Sequence, residues 1–264
     1  MKDPTSNEAV PLVGGNVSTV VRVGDTVRRT TGPWSPAVHE LLLHLEAVGF
    51  SYAPRFLGID ERGREVLTFI PGETVGVTEP WPQWAWSDET LTQVAHILRD
   101  YHAAVETFRL SQPMVWRFVT AAVGAGEVVC HNDVAPYNLV MRDGRVVGII
   151  DWDLAAPAAP TADLAFAAWT FAPIMTQAHE LMFGGPSDVV RRLRLLCDTY
   201  GLEDRTGFVD EIAVRMRASI EGVEAKAAAG EDAFVRLVRD GHLARMKADA
   251  QLLAQHRAEW AQQL

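Results

Sequence analysis

Apolar and polar positions follow a strand rhythm at the start of the chain and a helical rhythm later. Residues 17–23 (VSTVVRV) are β-rich, Gly24 and Asp25 mark a turn, and residues 26–29 begin a second strand. Ser35 and Pro36 open a helix that runs through Leu45 or beyond, with proline at a first-turn position, and Gly49 ends it. Residues 64–70 read as another strand, stopped by Pro71 and Gly72, which places a lobe boundary or hinge near residues 70–74. After a connection rich in proline and tryptophan, Ser87 opens a helix reaching about Phe108. Along it Leu91, Val94, Ala95, Leu98, Tyr101 and His102 fall at helical spacing. Residues 127–131 make a short buried strand, and residues 139–141 and 145–150 flank Asp143-Gly144, a strong hairpin signal. From about residue 163 the chain reads helical, with loops around residues 184–186 and Gly201 and a final amphipathic helix over residues 231–262. This order predicts an α+β fold in two lobes, residues 1–72 and residues 73–264.

Charge sharpens the picture. The 264 residues carry a net charge of −10, which argues against a nucleic-acid partner, since phosphate backbones attract basic faces. The excess is local: residues 60–175 hold 15 acidic against 7 basic residues, whereas residues 1–59 hold five of each. The two cysteines, Cys130 and Cys197, lie in apolar runs without a CxxC spacing, and no HxxxH or HExxH occurs among the histidines. Residues 1–10 carry no apolar signal-peptide core, and the most apolar run, residues 164–175, is too short to span a bilayer. A cytoplasmic protein with no membrane partner is expected.

The chemistry concentrates in residues 130–140 (CHNDVAPYNLV) and 149–153 (IIDWD). Asp133 and Asn138 sit five apart in a loop between apolar strands, and Asp151 follows where the hairpin returns the chain to its start. Strand alternation puts Asp151 and Asp153 on one side with Trp152 opposite. Acceptor groups converging in this way repel one another unless a cation or a proton relieves them. Hard carboxylate and amide oxygens suit Mg²⁺, which takes phosphates to complete its shell.

The pattern H-x-D-x-x-x-x-N followed by a metal-binding aspartate resembles the catalytic loop of the protein-kinase-like fold. With Asn132 after the histidine and residues 161–165 (TADLA) following, it looks most like the aminoglycoside phosphotransferase family, which also holds choline and homoserine kinases. The resemblance is sharp over residues 129–166. It implies a small β-rich N-lobe, a larger helical C-lobe, and an ATP-dependent O-phosphotransferase using Mg²⁺, with GTP as the alternative nucleotide and a hydroxylated small molecule as acceptor. Asp133 then matches the catalytic base, Asn138 and Asp151 the metal ligands, and Asp153 either a further metal contact or a structural group. His131 matches a residue that holds the loop's shape, and Asp163 a structural aspartate able to cap backbone N–H groups at a helix start.

The N-terminal half departs from the family. No G-x-G-x-x-G occurs; Gly14, Gly15 and Ser18 form a Gly-rich turn that either covers nucleotide phosphates through backbone N–H groups or is a plain hairpin turn. The usual basic residue on the next strand is Arg28 or Arg29, and Arg28 is favoured because it follows the apolar Val27. The expected glutamate of the following helix is displaced, leaving Glu40, His39 or no ion pair. Residues 65–73 match the interlobe linker, with backbone around Thr68, Phe69 and Ile70 at the adenine edge. Trp81, Trp84 and Trp86 either wall an acceptor pocket or pack a loop. An acidic surrounding would draw a cationic acceptor. Two other readings stand beside the kinase: a catalytically silent nucleotide-binding module, and a metal-dependent hydrolase built on the same carboxylates.

Overall fold

A twisted antiparallel sheet opens the fold. A computed structural model describes residues 9–12, 20–76, 81–112, 114–117, 124–172, 174–175 and 186–264. Strands β1 (Val10–Pro11), β2 (Val20–Val23), β3 (Thr26–Arg29), β4 (Phe56–Ile59) and β5 (Glu65–Thr68) form one sheet in the order β1-β2-β3-β5-β4. The β2–β3 turn lies at Gly24-Asp25, as the pattern requires. Strand β4 escapes the pattern because its sequence, Phe-Leu-Gly-Ile, carries no apolar–polar alternation, and its pairing with β5 is irregular between Phe56 and Gly58. Helix α1 (Ser35–Ala47) lies against this lobe and buries Ala37, Val38, Leu41, Leu42 and Leu45. Each of these buried valine and leucine side chains contributes roughly 1.5–3 kcal/mol.

The chain leaves β5 through Ile70, and Glu73 then pairs with Met141 across an isolated bridge. Helix α2 (Asp88–Val105) starts where Ser87 caps it, its side chain accepting from Thr90 N at 3.1 Å, and its apolar face is buried from Leu91 to Val105. The hairpin β7 (Leu139–Arg142) and β8 (Arg145–Ile149) turns at Asp143-Gly144, where both residues have positive φ (52° and 72°), the geometry of a tight two-residue turn. Strand β6 (Val128–Cys130) pairs with β9 (Ala156–Ala158), whose Ala-Pro-Ala composition carries no strand signal. Beyond it come α3 (Pro160–Phe171), α4 (Pro186–Tyr200), α5 (Phe208–Ala228), α6 (Asp232–Arg239) and α7 (His242–Gln263). The single helix expected over residues 231–262 is two helices. Gly241, in the left-handed region at φ 83°, breaks it and starts α7. Among the described residues no helix is long and apolar enough to cross a membrane.

The fold is thus mixed α+β, with a small antiparallel lobe and a helical lobe. The loops after β6 and after β8 meet between them, where Arg29 of β3 reaches Asp151 and Asp153.

Candidate functional site

The loop after β6 is shaped by buried polar contacts. Asn132 sits in the left-handed region at φ 65°, which asparagine tolerates better than most residues, and its amide lies within 3.2–3.3 Å of the carbonyls of Cys130, Leu154 and Ala156. Behind it Asp163, fully buried, accepts from His131 N (2.8 Å), Asn132 N (2.6 Å) and His102 Nε2 (3.1 Å). Burial alone would raise its pKa, but these donors outweigh it and hold the carboxyl below its usual range. Asp163 lies within α3, and the N–H groups it caps are those of the loop, not of its own helix as the sequence suggested. His131 Nδ1 accepts from Asp133 N at 3.2 Å, so its Nε2 carries the proton donated to Ile150 O at 3.2 Å. Burial depresses its pKa and keeps the ring neutral. Its ring meets Trp152 edge-on at 4.5 Å. Cys130 is a buried thiol whose pKa burial pushes well up, an inert packing residue.

On this frame Asp133 and Asn138 come together. Asn138 Nδ2 donates to Asp133 Oδ2 and to the Asp133 carbonyl, both at 2.8 Å. Tyr137 Oη donates to Asp133 Oδ1 at 3.0 Å. Burial, then the charge of Asp151, pushes the Asp133 carboxyl up from 3.8 to about 7, partly opposed by the Tyr137 and Asn138 donors. Between those values the folded protein keeps a proton that the unfolded chain has released, so this stability is present at low pH and lost as pH rises through about 7. In melts without nucleotide, the wild-type Tm minus that of Asp133→Asn should therefore fall between about pH 4 and about pH 7 and level off above that. A constant difference would refute the shifted carboxyl.

Across the cleft, β3 contributes one cation. Arg29 Nη1 donates to Asp151 Oδ1 at 3.1 Å, Nη2 pairs with Asp153 Oδ1, and Nε lies 2.8 Å from Glu65 Oε1. The Nε contact is an ion pair whose N–H does not point squarely at the oxygen. Burial would lower the guanidinium pKa, but Asp151, Asp153 and Glu65 together raise it. The expectation for Arg28 is corrected here: its guanidinium bonds Thr26 Oγ1 and lies 3.7 Å from Asp60, on the opposite face of the strand. Alternation decides this, because Arg29 shares the inward face of Val27 and Arg28 does not. Asp153 is engaged at both oxygens, by Arg29 and by Arg117 Nη1 (3.1 Å), so its place is a structural clamp. Arg117 lies 4.4 Å from the Trp34 ring and 5.6 Å from the Phe234 ring.

A hard divalent cation fits part of this set. The Asp151 side chain is 40% exposed, with only Oδ1 held by Arg29. The Asn138 amide nitrogen is committed to Asp133, which leaves its oxygen as the open end. These two donors suit Mg²⁺; the doubly paired Asp153 does not. Asp151 and Asp153 do share a side, with Trp152 buried behind them. The cause is not strand alternation, however: Asp151 lies in the left-handed region at φ 63° and a single tight turn, Trp152–Leu154, follows.

At the hinge, Phe69 N donates to Asp25 O at 2.9 Å and Arg22 stacks over its ring at 3.8 Å, so that N–H is already taken. Ile70 packs on Gly148 of β8. Gly14, Gly15 and Ser18 lie outside the described residues. Trp81 stacks on Trp86 at 5.2 Å and meets Tyr137 edge-on at 6.1 Å, which leads an aromatic wall to the Asp133 carboxylate. Glu40 accepts from Ser111 N at 2.8 Å and takes no part. The sequence reading missed Tyr137, Glu65 and Arg117. Glu65 shows its part only once β3 and β5 are paired, when it faces Arg29 across the ladder.

A family model described as the phosphotransferase enzyme family matches residues 109–195. The chain is 41% identical over 214 residues to the trifolitoxin immunity protein of Rhizobium leguminosarum bv. trifolii, spanning 78% of this chain and 80% of that protein. It resembles the crystal structure of a choline/ethanolamine kinase family protein of Mesorhizobium loti with a TM-score of 0.59 and 19% identity, over 97% of this chain and 93% of that one. It also resembles amicoumacin kinase hAmiN, solved with AMP-PNP, Ca²⁺ and Ami, with a TM-score of 0.65 and 11% identity, over 94% of this chain and 88% of that one. The two structural likenesses establish the kinase-like fold.

Proposed function

This chain belongs to the phosphotransferase enzyme family, and from that premise we propose that it transfers the γ-phosphoryl group of ATP to a hydroxyl of a small-molecule toxin and so confers immunity. The observation that carries this reading is the convergence of Asp133, Asn138, Asp151 and Arg29 in one cleft. Asp133 is the base: the acceptor hydroxyl hydrogen-bonds its carboxylate, the acceptor oxygen bonds to the γ-phosphorus, the bond from that phosphorus to the β–γ bridging oxygen breaks, and the acceptor proton passes to Asp133 as ADP leaves. Asn138 and Asp151 would hold Mg²⁺, which when bound would neutralise charge on the nucleotide phosphates. Arg29 meets those phosphates from β3, with a planar fork suited to them. Tyr137, Trp81 and Trp86 form the acceptor side.

Arg29 beside Asp151 favours turnover over a silent nucleotide-binding module, because an arginine stands in the cleft where the family's lysine is missing. The immunity assignment draws on the name of the 41% identical relative. A toxin-sensitive strain tests it. Cells expressing the wild-type chain should survive and return the toxin heavier by one phosphoryl group, and cells expressing Asp133→Asn should die. Survival with unmodified toxin would overturn the proposal.

A further inference from the structure

Arg29 is itself held from behind. Glu65 stands opposite it on the β3–β5 ladder, with Oε1 2.8 Å from Arg29 Nε. The other oxygen, Oε2, lies 2.9 Å from His39 Nε2 of α1. The Glu65 side chain is 3% exposed and those of Arg29 and His39 are 9% and 12%, so the chain of contacts is shielded from water and its electrostatics are strong. The His39 ring stacks on Phe56 of β4 at 3.8 Å with planes 11° apart, which fixes its edge toward Glu65. Two strands and one helix therefore meet at a single carboxylate.

We propose that Glu65 is a positioning residue for Arg29, and His39 a positioning residue for Glu65, in phosphoryl transfer. This rests on the phosphotransferase reading above. Arg29 faces competing carboxylates. Asp151 and Asp153 pull its guanidinium toward the C-lobe, and Glu65 anchors it on the β3 side. Without that anchor the guanidinium is held by Asp151 and Asp153 alone and settles further over the Asp151 carboxylate that the metal needs. His39 donates to Glu65 and keeps that carboxylate aimed at Arg29 rather than elsewhere. The helix thus supplies an imidazole and the sheet the carboxylate.

The test is the dissociation constant of Mg-ATP, measured by titration calorimetry, which requires no acceptor. Glu65→Gln and His39→Leu should each weaken Mg-ATP roughly tenfold, the size expected when one hydrogen bond to a charged group is lost. His39→Gln, which keeps a donor to Glu65, should bind close to wild type. That rescue separates positioning from mere packing. If Glu65→Gln does not fold, the His39→Leu and His39→Gln pair carries the test alone. Wild-type affinity in folded Glu65→Gln, or in both His39 variants, overturns the inference and leaves the phosphotransferase reading standing. A wild-type chain that binds no Mg-ATP overturns both.

Discussion

Asp133→Asn should lower phosphoryl transfer by about 10²–10⁴-fold, the usual worth of a positioned general base. The substitution keeps the shape and leaves an amide oxygen to accept from Tyr137 or Asn138, so the loop should hold its place. What disappears is a group able to take the acceptor proton. The loss should therefore appear in kcat, with the affinity for Mg-ATP within about threefold of wild type, since Asp133 is assigned to the acceptor and not to the nucleotide. Steady-state kinetics beside titration of Mg-ATP separates the two. A variant that retains most of its kcat would remove Asp133 from the chemistry.

Asp163→Ala should produce the largest loss of stability. It leaves His131 N, Asn132 N and His102 Nε2 without their acceptor inside the protein. An orphaned buried donor costs about 1–3 kcal/mol, and with partial relaxation the sum should reach roughly 3–5 kcal/mol. For a chain of this size that lowers Tm by about 10 °C. Activity should fall as well, because the same contacts fix the residues flanking Asp133. Asp163→Asn, which offers one accepting oxygen instead of two, should lie between. Thermal denaturation followed by circular dichroism gives the answer; a shift within about 2 °C would mean that the loop holds its shape without this hub.

Local signals made the elements legible. Proline and serine set the helix starts, Asp143-Gly144 the hairpin, and the spacing of Asp133, Asn138 and Asp151 their convergence. The elements that stayed hidden are those whose burial or pairing comes from elsewhere. Strand β9 reads as a proline-interrupted loop until β6 pairs with it, and the Phe-Leu-Gly-Ile of β4 has no alternation of apolar and polar residues. The N-lobe part of the site was harder for a related reason. Arg29, Glu65 and His39 are far apart in sequence, and they meet only because β3 and β5 are ladder neighbours with α1 packed on them. A search for one glutamate on the helix could not find a carboxylate that sits on a strand. Alternation did hold the choice between Arg28 and Arg29, since residues two apart in a strand share a face and Val27 marks the inner one.

The reaction proposed for this chain is transfer of a phosphoryl group from ATP to a small-molecule hydroxyl, with Asp133 as base. Phosphorus NMR on the purified chain with Mg-ATP tests it most directly. The acceptors to offer are aminoglycosides, macrolides, choline, homoserine and the toxin for which the 41% identical relative is named. ADP and a new phosphate-ester resonance should appear with at least one acceptor, and both should be absent with Asp133→Asn. ATP left intact beside every acceptor, or an ester that forms equally well with Asp133→Asn, would contradict it.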